Sequence, residues 1–201
     1  MTICQICGLS YHTGDGSERI IICGSCRKTH VAKIIPPLFK LTDISRLPAK
    51  QYAAVMNWKY PVTHNDSSGL LLHGPSGAGK TRCMWELLKG LGFFGEELAY
   101  FDGVSFGHEL SRQYRNETAE DWLERLGTET KLVVFDDLGK LKLTDRVESE
   151  LFGVIDRRCN NLLPIIATTQ LGGSEIAGMM SEQRGGALVR RLRMACQLVE
   201  F

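Results

Sequence analysis

No run of eighteen apolar residues occurs in the 201-residue sequence, which excludes a membrane-spanning helix. The N-terminus also lacks the apolar core of a signal peptide, so the expectation is a cytosolic chain whose thiols stay reduced. Internal repeats and low-complexity segments are absent, which removes solenoids and linker-like proteins from consideration. An excess of one charge is missing too, since the formal net charge is only +1. That small net value conceals an asymmetry: residues 1–60 hold eight Lys/Arg against three Asp/Glu, and residues 61–201 hold sixteen against twenty. The basic end is compatible with a nucleic-acid contact and equally with an ordinary solvated surface. With 43% hydrophobic and 23% charged residues, the chain has room for one α/β domain and something small beside it.

Seven cysteines are present, and four of them form a pattern. Cys4-x-x-Cys7 and Cys23-x-x-Cys26 are separated by fifteen residues, the spacing of a four-thiolate Zn²⁺ site. Gly8 and Gly24 each follow a cysteine, Cys7 and Cys23, where a knuckle needs positive φ. A stretch of about thirty residues cannot bury a core of its own, so metal binding, worth on the order of 10 kcal/mol, would supply its folding free energy. A disulfide framework conflicts with the cytosolic expectation, and a redox pair lacks a neighbouring βαβ pattern. His12 and His30 read as surface residues beside a complete set of thiolates. Residues 1–30 are therefore expected to form a Cys4 zinc ribbon, able to grip nucleic acid or protein or simply to staple the end.

Residues 31–68 read as a connector. Pro36-Pro37 stop the preceding apolar run, Leu38–Leu47 reads as extended chain and turns with Asp43 or Ser45 as caps, and Pro48 opens a helix towards Tyr60. This connector is expected to pack on the following domain and to cover the base of its ligand.

The densest signal lies in residues 69–201. Leu70-Leu71-Leu72-His73 runs into Gly74-Pro75-Ser76-Gly77-Ala78-Gly79-Lys80-Thr81, which satisfies G-x-x-x-x-G-K-[ST] at every fixed position. Such a loop must turn its backbone N–H groups inward on a phosphate chain, and glycines permit both the dihedrals and the close approach. Lys80 would reach the β- and γ-phosphates, the Thr81 hydroxyl would sit on Mg²⁺, and the helix Lys80–Leu91 would point its positive end at the anion. A second landmark is Leu132-Val133-Val134-Phe135-Asp136-Asp137, an apolar run fit for a strand buried on both faces, with its acids at the carboxyl edge where open α/β sheets bind ligands. Asp136 would hold Mg²⁺ and Asp137 would polarise an attacking water as general base. Around these lie an expected strand at Leu98–Phe101, helices at Ser105–Arg115 and Thr118–Leu126, and a long helix at Thr144–Asn160. Thr118-x-x-Asp121 has the form of a capping box. A strand at Pro164–Gln170, a helix at Ser174–Gln183, a basic helix opening near Gly186 and a last strand at Ala195–Phe201 complete the domain. Thr168 and Thr169 would touch the γ-phosphate or merely bond the strand edge.

These motifs, with Pro-Ile-Ile-Ala-Thr-Thr-Gln and Val-Arg-Arg-Leu-Arg, resemble the AAA+ ATPases, and more narrowly the DnaC/IstB-like group of helicase loaders and transposition helpers. The resemblance covers roughly residues 36–201. It implies an α/β P-loop NTPase whose parallel sheet is sandwiched by helices, and a Mg·ATP-dependent ATPase acting in replication or transposition. It further implies assembly into a nucleotide-dependent homo-oligomer, with single-stranded DNA and a replicative helicase or transposase as partners. Asp137 stands at the position of the catalytic acid and Gln170 at the first sensor, where the group usually carries asparagine. Arg191 stands at the arginine finger, with Arg190 and Arg193 as alternatives. Arg112, Tyr114 and Arg115 fall in the segment that faces single-stranded DNA in loaders and initiators. The sequence ends at Phe201, directly after the last strand, so the resemblance leaves no room for the usual helical lid, and neighbouring subunits or partners would complete the site. Competing readings are a nucleotide-operated binding switch with little hydrolysis, and a P-loop kinase.

Overall fold

The computed structural model describes residues 2–3, 10–11, 34–60, 69–91 and 97–201. The four cysteines expected to bind Zn²⁺, Cys4, Cys7, Cys23 and Cys26, lie outside the described residues. Two short strands, β1 (Thr2–Ile3) and β2 (Ser10–Tyr11), pair antiparallel as a sheet of their own.

Five further strands form one parallel sheet: β3 (Gly69–His73), β4 (Leu98–Phe101), β5 (Leu132–Phe135), β6 (Ile165–Thr169) and β7 (Cys196–Glu200). Their spatial order is β4-β5-β6-β3-β7. Strand β6 is thus inserted between the strand that feeds the glycine-rich loop and the strand that carries the two acids. β5 and β6 are buried along their whole length, β5 on an unbroken apolar sequence and β6 with two buried threonines at its end.

Side chains that alternate along each strand enter two separate cores. Val133, Phe135, Ile165 and Ala167 face one side, where they meet α4 (Ser105–Arg115), α5 (Ala119–Thr128), α6 (Asp145–Asn160) and α8 (Glu182–Ala195). Within it, Phe101, Phe106, Trp122 and Phe135 form an aromatic cluster whose ring centroids lie 5.3–5.9 Å apart. Leu70, Leu72, Leu132, Val134 and Ile166 face the other side, against α2 (Ala49–Asn57) and α3 (Lys80–Leu91). Ile35, Leu47, Val55 and Trp58 join that second core, so residues 34–60 are packed on the sheet.

Three local expectations are corrected. Leu38–Leu47 is partly helical: α1 (Pro37–Lys40) and a 3-10 turn (Ile44–Arg46) replace the expected extended chain. Pro37 opens this helix, because its fixed φ suits a first helical position. Thr118 flanks α5 but makes no side-chain cap; its hydroxyl donates to the Gln113 side chain at 2.5 Å. The expected helix Ser174–Gln183 is broken into α7 (Gly173–Gly178) and the start of α8, which opens at Glu182. The break is held by the buried Glu148 carboxylate, which accepts the Ser181 N–H at 3.0 Å and faces Arg184 at 3.1 Å.

At the opposite end of the sheet from the loop, Arg158 is completely buried and has no carboxylate partner among its hydrogen bonds. Its guanidinium donates to four main-chain carbonyls: Leu126 at 2.6 Å, Thr130 at 2.8 Å, Lys131 at 3.2 Å and Pro164 at 2.8 Å. One side chain therefore ties the end of α5 to the entries of β5 and β6. Burial lowers its pKa to about 10, still far above neutrality. Arg158→Met should lower the stability by about 3–5 kcal/mol, as loss of a buried charged network does, because those carbonyls would be left without donors. Urea unfolding should show a lower midpoint; an effect below about 1 kcal/mol would refute the staple.

Candidate functional site

The loop between β3 and α3 crosses the carboxyl edge of the sheet. Gly77 and Gly79 adopt φ of 79° and 100°, left-handed conformations that bend the chain around a hollow. A Cβ at Gly77 would meet nothing within 4 Å, so the hollow is open at that point. Gly74 is buried while Pro75, Ser76 and Gly77 are exposed, with Ala78 and Gly79 between those extremes. The first-turn N–H groups of α3 have no acceptors within their own helix and face an anion site at its positive end.

Lys80 begins α3 and is buried under this loop, where its ammonium donates to the carbonyls of Gly74 at 2.7 Å and Pro75 at 2.8 Å. Burial lowers its pKa, and the carboxylates of Asp137 and Asp136 oppose the shift. The cation is thus partly stripped of water and held in place by carbonyls of the loop itself.

The neighbouring Thr81 hydroxyl donates to Asp136 Oδ1 at 2.8 Å. Asp136 lies just past β5 and is buried. The same oxygen accepts the Thr168 hydroxyl at 2.6 Å, and Oδ2 accepts the Tyr100 hydroxyl at 2.9 Å. Three hydroxyls from three elements therefore converge on one carboxylate.

Asp137 takes a left-handed conformation at φ 61° and ψ 52°, which ends the strand and turns the chain. Asp is among the residues that tolerate this region. Its N–H donates to Thr168 Oγ1 at 2.8 Å, so Thr168 braces Asp136 and Asp137 together. The Asp137 carboxylate lies 2.5 Å from Lys140 Nζ and accepts a weaker bond from Gln170 Nε2 at 3.4 Å. The Thr169 hydroxyl, by contrast, accepts the Leu171 N–H at 3.0 Å, the strand-edge role.

A cavity of about 870 Å³ opens beside these groups. Residues 76–82 line one side, and Asp137, Lys140, Thr168 and Gln170 line the floor. Leu38, Phe39, Leu41, Arg46 and Leu47 of the connector make the facing wall. That wall is anchored to α3 through Arg82, which donates to the Leu38 carbonyl at 3.2 Å and stacks over the Phe39 ring at 5.5 Å. The volume lies within the range of small-molecule and cofactor sites.

Lys80, Thr81, Asp136, Asp137 and Gln170 thus meet at one sheet edge. The arginines do not. Arg191 pairs with Asp156 of α6 at 2.6 Å and is not part of the cavity, and Arg190 and Arg193 are exposed. Arg112 is engaged by Glu109 at 2.6 Å, and Tyr114 donates to Glu150 at 2.9 Å beneath the Arg146 guanidinium. Among the described residues, no group of three or more His, Cys, Asp or Glu could by itself hold a metal ion. Tyr100 and Lys140 escaped the sequence reading. The only signal for Tyr100 was a polar aromatic near the end of an apolar run, and its use depends on β4 lying beside β5.

The IstB-like ATP binding protein family profile matches residues 40–201. The chain belongs to that family. No curated protein matches it. Among solved structures it resembles the DnaC helicase loader at TM-score 0.54 and 21% identity, over 76% of this chain and 86% of that one. It is also similar to DnaI at TM-score 0.58 and 18% identity, over 83% of this chain and 94% of that one. The replication initiator DnaA bound to AMPPCP and single-stranded DNA is similar at TM-score 0.59 and 16% identity; the match spans 84% of this chain but 51% of DnaA. At these identities the likeness is one of fold, a P-loop NTPase sheet flanked by helices.

For this member of an ATP-binding family, Lys80→Ala should weaken ATP binding about 10–100-fold, the cost of losing a charged hydrogen bond to phosphate. Its unfolding temperature without nucleotide should move by less than about 4 °C, because the lost contacts border an open cavity and the lysine itself is desolvated. Fluorescent-nucleotide titration and calorimetry check both; undiminished binding would contradict the assignment.

Proposed function

We propose that this protein binds Mg·ATP in the cavity between the glycine-rich loop and the connector, and hydrolyses it when copies of the chain assemble. The observation that carries the reading is the convergence of Thr81 and Thr168 on Asp136 next to the buried Lys80. Thr81 Oγ1 and Asp136 Oδ1, 2.8 Å apart, are the hard oxygen donors that Mg²⁺ takes at a phosphate site, so the residues fit the ion. When bound, that ion would neutralise charge on the phosphate oxygens. Lys80 would exchange its two carbonyl partners for phosphate oxygens. The base would lie against Leu38, Leu41 and Leu47 of the connector wall, the first two of which are exposed.

Asp137 is the candidate for orienting and deprotonating the attacking water, with Gln170 positioned at its carboxylate. In the single chain this carboxylate is engaged by Lys140 and Arg191 is engaged by Asp156, and both pairings favour slow turnover by an isolated chain. Because Arg191 is not part of its own chain's cavity, it would act as a finger on the γ-phosphate held by a neighbouring copy. The family and the loader-like fold support action in DNA replication or transposition. A replicative helicase or transposase is then the proposed protein partner, with single-stranded DNA as the proposed nucleic acid. A nucleotide-operated switch with little hydrolysis is the second reading, favoured by the same two internal pairings.

Hydrolysis per chain should rise with protein concentration, further with single-stranded DNA, and fall roughly 10³-fold or more in Arg191→Ala while ATP binding persists. A rate indifferent to concentration and to Arg191 would sink the shared-site reading and leave the switch.

A further inference from the structure

We infer that Tyr100 is a positioning residue that holds the Asp136 carboxylate in the orientation needed to share a divalent cation with Thr81. The inference rests on the Mg·ATP reading above and extends it to a residue outside the motifs.

The geometry is specific. Strand β4 lies in register with β5, Tyr100 opposite Val134, and the Asp136 N–H donates to the Phe101 carbonyl at 2.8 Å. The end of β4 therefore stays beside Asp136 as the chain leaves β5. Two of the three hydroxyls on Asp136 converge on Oδ1, and Tyr100 alone of the three occupies Oδ2. Without it, the carboxylate would be pinned through one oxygen and could rotate about its own axis.

The phenol is itself fixed. Its ring lies 4.7 Å from that of Trp85, which is completely buried on α3, the helix that also carries Thr81. Tyr100 thereby orients a ligand without touching the ion, and loss of such an outer contact typically costs 10–100-fold in metal affinity.

Tyr100→Phe removes the donor and keeps the ring. Mn²⁺ serves as the probe, with free and bound ion distinguished by electron paramagnetic resonance in the presence of ATP and the full chain. The variant should need about 10-fold more Mn²⁺ for half-saturation. Its ATP affinity in EDTA should match the wild type, a split between metal and nucleotide binding that a merely structural tyrosine would not give. In an Asp136→Asn background, the same substitution should leave Mn²⁺ binding unchanged, since the group it positions is gone. An unchanged Mn²⁺ midpoint in Tyr100→Phe, or an equal loss in the Asp136→Asn background, would overturn the inference. Wild-type chain that binds ATP equally with and without Mn²⁺ would instead overturn the Mg·ATP reading beneath it.

Discussion

The site depends on one buried carboxylate with more hydrogen-bond donors around it than any neighbour has. Asp136 accepts hydroxyls from Thr81 on the helix after the loop, Thr168 on β6 and Tyr100 on β4. Each donor comes from a different element, so the carboxylate fixes the relation between loop, acidic edge and sheet margin. A buried acid without such donors would carry a heavy desolvation cost. Here that cost is offset by hydroxyls from α3, β6 and β4.

The strand order makes this convergence possible. Neighbouring strands lie about 4.8 Å apart, which places β3 and β5 on the order of 10 Å from each other with β6 between them. Thr81 and Asp136 reach one another across the end of β6, and Thr168, almost wholly buried, is small enough to lie beneath that contact while bonding to it. The left-handed turn at Asp137 then sends the second carboxylate towards Gln170 and Lys140 at the cavity floor. The two cores on either face of the sheet, and the Arg158 staple at its far end, hold these strand ends in register.

Much of this was legible in the sequence because phosphate binding restricts residue types at fixed spacing. Gly74 to Thr81 leaves few alternatives, and the apolar run closed by Asp136-Asp137, a weak signal alone, gains its meaning from following that loop by about fifty-five residues. The helices Lys80–Leu91 and Ser105–Arg115 follow directly from their periodicity. What was hidden depends on tertiary contact. The helix at Pro37–Lys40 is too short to announce itself and is held by its packing near Arg82 and Trp85. The break before Glu182 needs a carboxylate from Glu148, thirty-three residues earlier than Ser181. Thr118 finds a nearer partner than a cap. The pairing of Arg191 with Asp156, like the use of Tyr100, exists only once the elements are assembled.

The central claim is that Lys80, Thr81 and Asp136 together form a metal-dependent nucleotide site. The most direct test is calorimetric titration of the wild-type chain with ATP, once in Mg²⁺ and once in EDTA. The account predicts one ATP per chain, bound at least about 10-fold more tightly when Mg²⁺ can be shared between nucleotide and carboxylate. Equal affinity under both conditions, or no binding under either, would contradict it.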